Sequence, residues 1–244
     1  MLQLTTVNRQ LTTETPPAFD GMLYYRHRID KESGLMRNIE FKGTLKGDVD
    51  QISSGKPMPE GSVMFKEPET SDKAFAQGMI FAGPLMLAML IIGLVRIIKV
   101  FGPPHGMKFG SFMIAFLVSM VFIVVSQYIH EYIHAFVFSK DIKKQIYVMP
   151  QNQMLFVYIE DPVPKVNFLI SVLSPAFILG IIPFIVWVFI MPHLPLAVSF
   201  GIVIYTIFMT GCALGDYLNA YNGIRQVPKG AKVFNRGWHS YWVR

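Results

Sequence analysis

Four long apolar runs set the pattern of this chain: Phe75 to Val95, Phe109 to Phe138, Phe168 to Met191 and Leu196 to Tyr217. Each supplies the roughly 20 helical residues that cross a hydrocarbon core, so the pattern predicts four transmembrane helices. Ahead of them, residues 1–73 are polar and rich in Gly, Pro and charge, with 10 Lys/Arg against 11 Asp/Glu. Within that region Met22–Arg28 and Arg37–Leu45 are β-leaning patches between Gly-containing turns, consistent with a small β module; disorder is the competing reading. Between the second and third runs, Gln145–Met149 and Met154–Glu160 flank the turn-like Pro150-Gln151-Asn152-Gln153, which predicts a β-hairpin. Its edge either receives an extended peptide substrate as an added strand or is an ordinary connection. The expected fold is therefore an all-α polytopic membrane protein with a polar N-terminal region, 1–73, and a four-helix domain, 74–222, carrying one β-hairpin. A basic tail, 223–244, comes after it.

Composition agrees with that class. The chain is 52% hydrophobic and only 16% charged, with a mean hydropathy of +0.40, which excludes a wholly soluble protein. Met1 to Thr15 lacks the apolar core of a signal peptide, so the N-terminus is expected to be retained. The single Cys212 precludes an internal disulfide.

Positive charge sets the orientation. The first connection carries Arg96, Lys99 and Lys108, and Pro192 to Pro195 carries no Lys or Arg. The opposite side holds Lys140, Lys143, Lys144, Lys165, Arg225, Lys229, Lys232, Arg236 and Arg244. A cell-membrane protein with both termini cytoplasmic is expected. The pI of about 9.3 points to anionic lipid headgroups as partners rather than nucleic acid.

The chemistry lies in the second run, at His130-Glu131-Tyr132-Ile133-His134. Two histidines four apart share one helical face, where both imidazoles reach one metal ion, and the intervening Glu can act on water held there. Glu131 and Asp216 are the only acids in the four runs, and His130 and His134 the only histidines. His134 precedes Lys140 by six residues and Asp216 precedes Arg225 by nine, so both lie roughly 9–14 Å inside the first basic anchor. Ionisable side chains in a bilayer cost about 2.5–3.5 kcal/mol each and face a partner or a cavity. Catalytic zinc takes three protein ligands, and a carboxylate is an accepted third, so Asp216 completes a site with His130 and His134. The competing reading makes the three residues hydrogen-bonded glue between helices.

Other positions carry weaker signals. Pro175 and Pro183 interrupt the third run and Pro84 the first; Pro175, after Ser174, lies at a depth similar to the metal site and either borders it or is an ordinary membrane-helix proline. Cys212, one turn before Asp216, reads first as a small packing residue and second as a metal neighbour. Asn219 and Asn222 follow Asp216 at helical spacing and either orient its carboxylate or form a polar helix end. His27, His105, His193 and His239 lie outside the runs and read as surface residues, and Trp238, Tyr241 and Trp242 read as an interfacial anchor for the tail.

On His130-Glu131-Tyr132-Ile133-His134-Ala135, Glu160-Asp161-Pro162-Val163-Pro164-Lys165, Ser171-Val172-Leu173-Ser174-Pro175 and Gly215-Asp216, the chain resembles the zincin peptidase family of bacterial membrane proteins, similar to site-2 intramembrane zinc metalloproteases. The likeness covers about residues 75 to 222. It implies Zn2+ held by His130, His134 and Asp216, with Glu131 as catalytic base. Asp216 here sits in Leu214-Gly215-Asp216-Tyr217 rather than the Asn-Pro-Asp-Gly surroundings usual in site-2 proteases.

The expected activity is hydrolysis of peptide bonds in membrane or membrane-proximal proteins by a metal-activated water. The alternative is a non-enzymatic intramembrane metal or proton transporter or sensor at the same cluster. A pseudoenzyme that recruits client membrane proteins is a third reading, against which the intact Glu131 stands.

Overall fold

The computed structural model describes residues 38–45, 52, 57–102, 108–149, 154–237 and 239–244. Met22–Arg28, Pro150–Gln153, His27, His105 and Trp238 lie outside the described residues. The chain divides into two units, Met1–Met36 and Arg37–Arg244, and every described residue belongs to the second.

Helix α1, Ser71–Phe101, starts at Thr70, whose hydroxyl accepts from the Lys73 amide at 3.3 Å, and stops at Gly102, whose φ of 74° only glycine adopts at little cost. Helix α2, Phe109–Val137, is the longest uninterrupted stretch around the His-Glu-x-x-His motif. The third apolar run is broken into α3, Lys165–Pro175, a π-helical turn, Ala176–Ile181, and α4, Ile182–Ile190. The two prolines explain the break, because neither supplies an amide to the carbonyl four residues before it. The ladder widens by one residue instead, with the Ile182 amide donating to the Phe177 carbonyl. The fourth run is also two helices, α5, Leu196–Cys212, and α6, Leu214–Gln226, bent by 45°. Among the described residues three helices are long and apolar enough to cross a membrane, Asp72–Phe101, Phe109–Val137 and Lys165–His193, and the bent pair makes a fourth when taken as one.

The chain carries more strand than the hydropathy pattern shows. β1, Ile39–Thr44, pairs in parallel with β3, Lys144–Met149, which pairs antiparallel with β4, Met154–Tyr158. The hairpin expected at 145–160 is therefore present, and the β-leaning stretch at 37–45 joins it. Lys42 and Lys143 both bond the Glu40 carboxylate, at 2.6 and 3.0 Å, and hold its pKa below the ordinary carboxylate range.

A second sheet has the order β2 (Val63–Met64), β7 (His239–Val243), β6 (Lys232–Arg236), β5 (Val163–Pro164), all antiparallel. Residues 232–236 and 239–243 within the basic tail are thus strands. Trp242 pairs with Val63 and Val233 and is partly buried, packed against the core.

By connectivity, the strands attach where α1 and α3 begin and where α2 and α6 end, so both sheets lie at one end of the helices. The core there joins Phe65, Phe138, Phe168, Val172, Ala220 and Val233. Phe65 meets Phe168 edge to face, with centroids 6.2 Å apart. Phe138 lies one turn past His134 and Ala220 one turn past Asp216, so this core fixes the helix ends that carry the polar cluster.

Candidate metal centre

One residue pattern and two backbone irregularities build the site. His130 and His134 sit one turn apart on α2 at 5% and 9% exposure, on the face turned towards the other helices. Asp216 comes from the first turn of α6, just past Ala213, whose φ of −87° and ψ of 20° break the helix and aim α6 back at α2. The His130 Nε2 lies 3.0 Å from Asp216 Oδ2, the His134 Nε2 3.2 Å from Asp216 Oδ1, and the two Nε2 atoms 3.2 Å from each other.

The second irregularity, at Pro175, orients His134. Pro175 has no amide, so the Ser171 carbonyl four residues earlier loses its helical partner. The His134 Nδ1–H donates to that carbonyl at 2.9 Å, and the Ser171 hydroxyl donates to the His134 carbonyl at 3.1 Å. A carbonyl only accepts, so Nδ1 carries a proton and Nε2 is the atom left facing the Asp216 carboxylate, 3.2 Å away. A metal ion held between them, or a proton on Nε2, satisfies that approach.

The donor set fits zinc. With ligand bonds of about 2.0–2.1 Å, a tetrahedral site places neighbouring ligand atoms roughly 3.3 Å apart, close to the three separations here. All three ligand atoms fall within 4.8 Å of one another, and among the described residues they form the one such group of His, Cys, Asp or Glu. Two imidazoles and one carboxylate, with no thiolate, match an open catalytic site better than a closed structural one.

Glu131 lies on the side of the first sheet. The Lys144 amide donates to Asn38 and the Val148 carbonyl accepts from Leu45, so those residues of β3 face β1. Alternation in the antiparallel ladder then turns Leu155 and Val157 of β4 outward. Helix α2 packs against β4, with the Val157 amide towards Glu131.

Above the cluster, a series of polar contacts stitches α2 to the bent pair. The Ser119 hydroxyl donates to the Gly201 carbonyl at 2.9 Å, Ser126 bonds Tyr205 at 2.9 Å, and the Gln127 amide donates to the Cys212 sulfur at 2.9 Å.

Of the residues singled out by sequence, His130, His134 and Asp216 converge, and Glu131 lies beside them. Cys212 bonds Gln127 and is not in the ligand group. Asn222 accepts from Gln226 at 3.0 Å. His193 closes a short 3-10 turn and His239 pairs with Glu67 at 3.1 Å. Pro175 acts through the carbonyl it frees, while Pro84 leaves α1 unbroken. The roles of Ser171 and Val157 emerge only from the structure. The proline at position 175 is the sequence signal that pointed towards the first, and the hairpin edge the one that pointed towards the second.

A buried group of two histidines and an aspartate, with a glutamate between the histidines in sequence, is the residue set that zinc hydrolases use. Residues 121–232 match the family described as "Putative zincin peptidase". No curated protein and no solved structure matches the chain. That match and the donor set point to the same chemistry, a zinc site of the peptidase type.

Pro175→Ala tests the orientation of His134. An alanine amide at 175 competes for the Ser171 carbonyl, so zinc affinity measured by chelator competition is expected to fall about tenfold, as for other outer contacts to metal ligands. An unchanged affinity would show that the freed carbonyl does not orient the ring.

Proposed function

We propose that the protein is a membrane-embedded zinc metalloendopeptidase that cleaves membrane or membrane-proximal proteins near the strand-bearing end of its helices. The observation that carries this reading is the convergence of His130, His134 and Asp216 around one point, with Glu131 on the same helix beside it. Membrane embedding draws support from the exposed faces of the apolar helices. Phe109, Val121 and Val124 on α2 are 77%, 64% and 61% exposed, an arrangement that water disfavours and lipid does not.

His130, His134 and Asp216 would hold the ion. When bound, zinc lowers the pKa of a water molecule towards neutrality and polarises a carbonyl. Glu131 takes the proton from the attacking water and later delivers it to the leaving amine nitrogen, so no covalent enzyme intermediate is needed. The outward edge of β4 offers the Leu155 backbone and the Val157 carbonyl to an extended peptide. Such pairing would present an unwound backbone to Glu131, as cleavage requires. Both termini are placed on the cytoplasmic side, with Lys140, Lys165, Arg225 and Lys229 along that face.

Glu131→Gln separates chemistry from binding. In membranes carrying the wild-type chain, mass spectrometry of protein N-termini is expected to find zinc-dependent new termini that vanish with Glu131→Gln, a rate loss of about 10²-fold or more. Equal termini from both would refute proteolysis, and zinc flux into vesicles by the variant would favour a transporter. For orientation, Cys212 is first replaced by Ala and single cysteines are then placed at Lys229 or His193. An impermeant maleimide on intact cells is expected to label only His193→Cys; the reverse would invert the topology.

A further inference from the structure

We infer that α1, which lies outside the segment matched by the family, is a positioning element for the third metal ligand, and that Gly78 is the positioning residue through which it acts. The inference rests on the reading of His130, His134 and Asp216 as a zinc site.

Helix α1 packs along both halves of the bent pair. The Thr210 hydroxyl approaches the Met89 sulfur at 3.5 Å, and a Cβ added at Gly93 would stand 3.1 Å from Val203. At Gly211 an added Cβ would meet the Met86 methyl at 3.0 Å, and the rings of Phe81 and Tyr221 stack with centroids 4.9 Å apart.

The tightest approach falls at the break itself. A Cβ on Gly78 would lie 2.7 Å from the Leu214 carbonyl oxygen and 3.1 Å from the Leu214 carbonyl carbon and Cβ. Leu214 opens α6 two residues before Asp216. The obstructing atom is backbone, so it cannot rotate aside as a flexible side chain would, and a larger residue must move one helix. Relief takes several tenths of an ångström, and metal and catalytic sites tolerate displacement of only about 0.5 Å. The far end of α6 is closed by α3, where Gly223 abuts Phe168 and Leu169. The helix is thus held near both ends, and glycine at 78 lets α1 press on the Leu214 carbonyl that opens it, two residues before Asp216.

The test measures zinc affinity of the full chain by competition with a chromophoric chelator. Gly78→Ala is expected to bind about tenfold more weakly than wild type, and Gly83→Ala, whose added Cβ meets only the Met79 methyl at 3.8 Å, as wild type. Because Gly78 acts through Asp216, the double variant Gly78→Ala/Asp216→Ala is expected to match Asp216→Ala alone. A role in general packing would instead make the two losses add, and that result overturns the proposal, as does wild-type affinity in Gly78→Ala. Should Gly78→Ala fail to fold, Phe81→Ala loosens the packing of α1 on α6 at Tyr221 without a clash and is expected to weaken binding severalfold, unchanged affinity being the contrary result. Failure of the wild-type chain to bind zinc would remove the metal site itself, an outcome distinct from any of these.

Discussion

Four ionisable side chains lie among apolar helices, and each must find a partner within the protein. Among the described residues His130, His134 and Asp216 satisfy one another, both imidazoles lying within 3.2 Å of the Asp216 carboxylate, and the rest of the structure is arranged so that they meet. Isolated, each would cost several kcal/mol in hydrocarbon. Brought together around one ion, their charges and lone pairs compensate. The tight core of Phe65, Phe138, Phe168, Val172 and Ala220 at the strand-bearing end holds the three contributing helices in the register this requires.

Regular helices alone would not deliver that geometry. An uninterrupted third helix would consume the Ser171 carbonyl internally, leaving His134 without an acceptor for Nδ1. A continuous fourth helix would carry Asp216 along the axis of α5 instead of bending it towards α2. The irregularities at Pro175 and Ala213 are therefore part of the site. The π-helical turn at Ala176–Ile181 absorbs the lost hydrogen bonds of the third helix while Thr210 presses on Gly180 from α5.

What could be read from the sequence was what rests on local pattern. Apolar length marked where the long helices lie, and His-Glu-x-x-His together with the scarcity of acids in the apolar runs singled out the three residues that converge. The hairpin was legible from β-leaning runs around a turn. What escaped depends on contacts distant in sequence. Val233 and Trp242 lie in a short segment rich in Lys and Arg, so its strands are recognisable only once β2 and β5 supply the sheet that buries them. The bend at Ala213 has no proline or glycine at the position itself to announce it. Gly78 is one of several glycines in apolar helices, and only the approach of the Leu214 carbonyl distinguishes it.

The most direct measurement is zinc content per chain, by elemental analysis of the purified protein, for wild type beside Glu131→Gln, His134→Ala and Asp216→Ala. About one zinc per chain is expected in wild type and Glu131→Gln, and much less in the other two, since only these lose a ligand. No stoichiometric zinc in any form, even after reconstitution with zinc, would contradict a metal centre and leave His130, His134 and Asp216 as a proton-bridged contact between helices.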